Sequence, residues 1–211
     1  MRPKCLIFDF DGVLAESNSI RFEGFRKLFQ DFKKDQVEQL VDYVKSNGGL
    51  SRYRKIEYFF REIRKESLSE QVLNELAEKY SKLVKHQVIN CQPVPGSLEF
   101  LRQHSGQYDM AVVSGSDQKE LREVCQSRNI AHYFVKILGS PTDKKENIEM
   151  LILEQGWDRN SVIYIGDSFN DRDAAFANKI RFLARDSGIV DWKQTGEESI
   201  LDLHALSEFL K

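Results

Sequence analysis

Cys5-Leu6-Ile7-Phe8-Asp9-Phe10-Asp11-Gly12-Val13-Leu14 begins with four apolar residues, runs into two aspartates and reaches a glycine. A short apolar run stopped by turn residues reads as a buried strand. The same texture returns at residues 110–113, 135–138, 162–165 and 180–183. Amphipathic stretches between these runs predict helices near 97–104, 117–127, 144–155 and 170–178, the second opened by the capping-box spacing of Asp117 and Glu120. Strands alternating with helices predict an α/β fold, a doubly wound, Rossmann-like parallel sheet.

Residues 19–88 break that alternation. Phe25, Leu28, Phe29 and Phe32, then Val37, Leu40, Val41 and Val44, then Ile56, Phe59, Phe60 and Ile63 each mark one face of a helix. Asp35 and Glu38 have capping-box spacing, Gly48-Gly49 can end a helix, and Ser51 can cap the next. A fourth helix is expected from about Ser69, carrying Leu73, Leu76, Tyr80, Leu83 and Val84. Pro93, Pro95 and Gly96 mark the return to the sheet. The expected organisation is a core of residues 1–15 and 93–211 with an inserted α-helical domain over 16–92.

The 211 residues include 31 Lys plus Arg and 33 Asp plus Glu, a formal charge of −2. Near neutrality argues against a nucleic-acid binder, whose affinity rests on a basic excess. It argues equally against a membrane-surface role. The longest apolar runs have four residues, far short of the ~20 that span a bilayer. Asp9 and Asp11 interrupt what would be the apolar part of a leader. Cys5, Cys91 and Cys125 are an odd, widely spaced set, which suits reduced thiols and a cytoplasmic protein.

In open parallel sheets ligands bind beyond the carboxyl ends of the strands. The first strand leads into Asp9-Phe10-Asp11-Gly12, the second into Ser114-Gly115-Ser116, and a later one into Gly166-Asp167-Ser168-Phe169-Asn170-Asp171. Four carboxylates gathered at one edge repel unless a cation joins them. With no His or Cys nearby, an all-oxygen set favours a hard ion such as Mg²⁺, which commonly shares substrate phosphate. Lys144 or Lys145 can meet that phosphate, and backbone amides around Gly115 and Ser116 add donors.

These four stretches, in this order, resemble the motifs of the haloacid dehalogenase superfamily on its phosphatase side, in the phosphoglycolate phosphatase-like branch. The inserted helices are similar to the cap many members carry between their first and second motifs. The resemblance implies Asp9 as nucleophile, forming an aspartyl-phosphate, and Asp11 as general acid and base. It implies Phe10, Ser114, Gly115 and Lys144 as phosphate-binding residues, with Lys144 also catalytic. The implied Mg²⁺ ligands are Asp9, the Asp11 main-chain carbonyl and Asp167, with Asp171 as outer support or acting through water. The implied reaction is hydrolysis of a small phosphorylated metabolite; a phosphomutase or a non-catalytic binding member would share the motifs.

Arg52 and Lys55 lie four residues before Ile56 and Phe59 and extend that buried face toward the helix start. They are the candidates to hold a second anionic or polyhydroxyl part of the substrate.

Overall fold

The computed structural model describes residues 3–210, so residues 1, 2 and 211 of the expected core lie outside the described residues. Six parallel strands, β1 (Cys5–Phe8), β2 (Asp109–Asp117), β3 (Lys136–Ser140), β4 (Val162–Gly166), β5 (Arg181–Arg185) and β6 (Ser199–Ile200), form one sheet in the order β3-β2-β1-β4-β5-β6. β1 is central, and the two-residue side-chain period of a strand sorts its residues to two faces. Leu6 and Phe8 join Met110, Val112, Ile163 and Ile165 on one side. Cys5 and Ile7 join Ala111, Val113, Val162 and Tyr164 on the other. Helices cover both faces: α5 (Ser97–His104), α6 (Gln118–Ser127) and α10 (Leu203–Phe209) the first, α7 (Lys144–Gln155) and α8 (Phe169–Ala177) the second.

Register positions the site. Phe8 is level with Val112 on one side and Ile165 on the other, so Asp9, Ser114 and Asp167 emerge together at the carboxyl edge.

Between β1 and β2 the chain forms α1 (Asn18–Leu28), α2 (Lys34–Ser46), α3 (Arg52–Tyr58), a π-helical turn (Phe59–Arg64) and α4 (Glu70–Asn90). The aromatic stripe packs on itself: the Phe29 ring lies 4.1 Å from Phe59 and 5.7 Å from Phe32. The segment leaves and returns side by side, through the antiparallel bridge Ala15–Pro93 and a bond from Glu16 N–H to the Gln92 carbonyl at 2.9 Å.

Ser51 and Ser69 cap α3 and α4, accepting from Arg54 and Val72 N–H. Asp35 and Glu38 form no box, because α2 begins at Lys34 and Glu38 turns outward to Arg26 at 2.9–3.0 Å. β6, the one-turn α9 (Trp192–Thr195) and α10 are absent from the sequence reading, being too short to display a period. Among the described residues no helix is long and apolar enough to cross a membrane.

Candidate active site

The loop after β1 turns at Gly12, whose φ is +74°. A Cβ there would lie 2.0 Å from Asp167 Oδ2, so both the backbone conformation and the space demand glycine. Arg185, at the end of β5, donates to the Gly12 carbonyl at 3.1 Å and pairs with Glu16 at 2.6 Å, bracing the loop. The Phe10 ring is buried in the core and does not line the cavity, so only its main chain is available to a phosphate.

Asp9, Asp167 and Asp171 each place a carboxylate oxygen within 4.8 Å of the others. Lys144, at the first position of α7, sets its Nζ 3.0 Å from Asp9 Oδ2 and pairs with Asp171; Lys145 is exposed. Burial raises Asp9 to about 8, against the pull of Lys144 and with repulsion from Asp171, Asp167 and Asp11. Burial and the Asp171 charge raise Asp167 to about 6. Burial would lower the Lys144 pKa, but Asp171 and Asp9 reverse this and raise it.

Asp9 Oδ1 is buried with no hydrogen-bond partner among the described residues, and Asp167 Oδ2 accepts from Asn18 at 2.7 Å. An orphaned buried carboxylate oxygen in an all-oxygen set fits a hard divalent cation. Asp171 differs: its oxygens already accept from Lys144, Tyr164 hydroxyl at 2.8 Å, the Ser168 hydroxyl at 2.6 Å and the Asp167 and Ser168 amides. It orients the cluster from behind.

Ser114 is buried, and its oxygen accepts from Ser116 N–H at 3.2 Å, leaving its own proton to donate. The Ser116 amide is therefore already engaged, and the helix opens two residues later, at Gln118, with Asp117 as its cap. Of the two expected amide donors, Gly115 remains.

Asp11 turns away from the carboxylate cluster. Oδ1 accepts from Arg21 Nε at 2.9 Å and Ser17 Oγ at 2.5 Å, and Oδ2 from Ser116 Oγ at 2.7 Å. Burial alone would raise its pKa, but the Arg21 charge and these bonds lower it. Arg21 continues to Glu120 at 2.6 Å, and Glu120 takes Arg52 at 2.7 Å. The Asp117–Glu120 box is thus half formed, since the Glu120 carboxylate serves the two guanidiniums.

Arg52 and Lys55 both line a cavity of about 50 Å³ shared with Asp9, Asp11 and Ser114. Arg52 is held by Glu120 and Ser81 and lies over the Tyr80 ring. Among the described residues Lys55 forms no such pair. Arg21, Tyr164 and Arg185 escaped the sequence reading, which gave Glu120 a capping role alone; the one available signal was a charge at 21 on the apolar face of Phe25 and Leu28.

Residues 6–185 match the family model described as haloacid dehalogenase-like hydrolase. Among curated relatives, the phosphoglycolate phosphatase of Synechococcus elongatus is 25% identical over 179 residues, covering 82% of this chain and 78% of the relative. That of Vibrio parahaemolyticus is 28% identical over 190 residues, with coverage of 82% and 78%. The crystal structure of a predicted phosphoglycolate phosphatase from Haemophilus somnus 129PT superposes with a TM-score of 0.78 at 16% identity, over 100% of this chain and 99% of the other.

Proposed function

The chain belongs to the haloacid dehalogenase-like hydrolase family and is a phosphatase, and from this premise we propose that it hydrolyses a small phosphomonoester of the phosphoglycolate or sugar-phosphate kind through an aspartyl-phosphate at Asp9. The observation that carries the proposal is Asp9 itself: a buried carboxylate with one oxygen unpartnered and the other 3.0 Å from Lys144. An Asp9 oxygen attacks phosphorus, the bond from phosphorus to the ester oxygen breaks, and Asp11 gives the departing alkoxide its proton. Asp11 then takes a proton from water, whose oxygen attacks phosphorus and releases phosphate and Asp9. The contacts seen at Asp11 suit the second half; for the first, one of its bonds to Arg21, Ser17 or Ser116 must give way.

Lys144, the Ser114 hydroxyl and the Gly115 amide hold the phosphoryl oxygens. Asp9, the Asp11 carbonyl and Asp167 would hold Mg²⁺, with Asp171 behind them; when bound, the ion neutralises charge on the phosphoryl group. Residues 16–92 act as a cap over the core of 1–15 and 93–211 and exclude water from the cavity. A small substrate and a cytoplasmic setting, where three free thiols persist, belong to the same proposal.

The test is phosphate release from a panel of small phosphoesters, with Mg²⁺ or with chelator, for the wild type and Asp9→Asn. Release that needs Mg²⁺ and disappears in the variant is expected. Release that survives the substitution removes Asp9 as nucleophile, and release that survives chelation removes the metal.

A further inference from the structure

Nearly every charge around the cavity has a protein partner. Arg21 answers Asp11 and Glu120, Arg52 answers Glu120, and Lys144 answers Asp9 and Asp171. Lys55 is the exception: it is 8% exposed, lines the cavity, and has only charge at a distance acting on it, with no hydrogen bond to a described residue. Its nearest wall is an aromatic face, with apolar side chains beside it. Phe25 lies beneath it at 5.9 Å, and Phe22 and Leu50 form neighbouring walls. Of the two carboxylates whose charge reaches it, Asp11 is held by Arg21, Ser17 and Ser116 and Asp9 Oδ2 by Lys144, while Asp9 Oδ1, unpartnered among the described residues, lies outside hydrogen-bond reach of Lys55. Burial, with Lys144 and Arg21 nearby, pulls Lys55 down to about 8, so most of it remains an ammonium at neutral pH.

A buried ammonium aimed into a substrate cavity needs an acceptor that the substrate brings. With Lys144, Ser114 and Gly115 committed to the phosphoryl group, the free end of the cavity falls to Lys55. One ammonium matches the single charge of a carboxylate, whereas a second phosphate carries about −1.5 to −2 at neutral pH, and the other cations lining the cavity, Arg21 and Arg52, are already paired. We propose that Lys55 is the specificity-determining residue and that it recognises the carboxylate of a compact phosphorylated hydroxy acid. This rests on the phosphatase reading and assigns to Lys55 alone the role expected of Arg52 and Lys55 together.

The experiment compares kcat/KM for 2-phosphoglycolate and for ethyl phosphate, which lacks the carboxylate, in the wild type, Lys55→Met and Lys55→Glu, each shown to be folded by thermal unfolding. The wild type is expected to prefer phosphoglycolate. Lys55→Met should shrink that preference about 10- to 100-fold, chiefly through KM, as loss of a buried charge-assisted contact does. Lys55→Glu should shift preference toward 2-aminoethyl phosphate, which carries an ammonium at the same place. Equal loss on both esters would assign Lys55 to the phosphoryl group and overturn the proposal, as would an unchanged ratio. Wild-type release without preference overturns this inference alone, as does release from neither ester by an enzyme that hydrolyses another phosphoester of the panel, whereas release from no phosphoester overturns the phosphatase reading with it.

Discussion

Replacing Glu120 by Gln tests whether the buried ionic chain holds the helical segment onto the sheet. Glu120 is 3% exposed and accepts from Arg21 at 2.6 Å and Arg52 at 2.7 Å. Burial alone would raise its acid, but the two guanidiniums reverse this and hold it at about 2 against an ordinary 4.5. At about 1.4 kcal/mol per tenfold in acidity, that interval corresponds to roughly 3 kcal/mol of folding free energy. Removing one member of a buried pair typically costs ~3–5 kcal/mol, so the two routes agree. Domains have only about 5–15 kcal/mol in all. With a urea slope near 2 kcal/mol per molar, Glu120→Gln should lower the midpoint of far-UV circular dichroism unfolding by about 1.5 M at pH 7. The sign with pH follows. A carboxyl depressed in the folded state contributes fully above its unfolded pKa of 4.5 and loses that contribution as pH falls toward 2. The gap between wild type and variant should therefore narrow between roughly pH 5 and pH 3. A midpoint shift under about 0.5 M at pH 7, or a gap constant down to pH 3, would refute the reasoning.

Gly115→Ala places a Cβ 2.0 Å from the Gly49 carbonyl oxygen, an overlap between two backbones that no rotamer relieves. The loop over the site must lift, and kcat/KM for any active phosphoester should fall at least about tenfold while urea stability changes little; undiminished kcat/KM would show that this contact is not part of the working state. Phe29→Ala empties the centre of the aromatic cluster, where Phe29 is fully buried and its ring lies 4.1 Å from Phe59, and should cost about 3–5 kcal/mol in urea unfolding. A loss under about 1 kcal/mol would mean that the helical segment does not depend on its own aromatic core.

Sequence was legible where the physics is local. The boundaries of Cys5–Phe8, Ser97–His104 and Lys144–Gln155 coincide with those read from apolar periodicity and turn residues, because the burial pattern and the stop signals lie within each element. Asp9, Ser114 and Asp167 were legible as neighbours for a similar reason: each follows a strand, and the parallel register brings strand ends together. Arg21 was not. Its partner Glu120 is 99 positions away, and no spacing rule joins a helix of the insertion to a helix of the core. Tyr164 was also missed; in sequence it is one more apolar strand residue, and only packing reveals its hydroxyl 2.8 Å from Asp171. The same limit separates Arg52 from Lys55. They share a turn of α3 and look equivalent until Glu120 arrives from elsewhere and pairs with one of them.

That pairing bears on how the helical segment works over the site. The segment departs at Ala15 and returns at Pro93, adjacent to one another just past the aspartates, so any folded insertion at this point hangs over the carboxyl edge. Across the gap it meets the core through Arg21 with Asp11, Arg52 with Glu120, and the Gly49–Gly115 backbone contact. Two of these match a cation to an anion and the third is uncharged, so their formation leaves no orphaned charge. Lys55 lies on the same segment and has no hydrogen-bond partner among the described residues, Asp11 and Asp9 acting on it only from a distance. An arrangement of the segment over an empty cavity therefore leaves that ammonium without a hydrogen-bond acceptor; the same arrangement over an ester with a carboxylate does not. Under the proposed assignment, a single unpartnered lysine makes the closed state respond to the substrate, because differential contact with the two states is what shifts such an equilibrium.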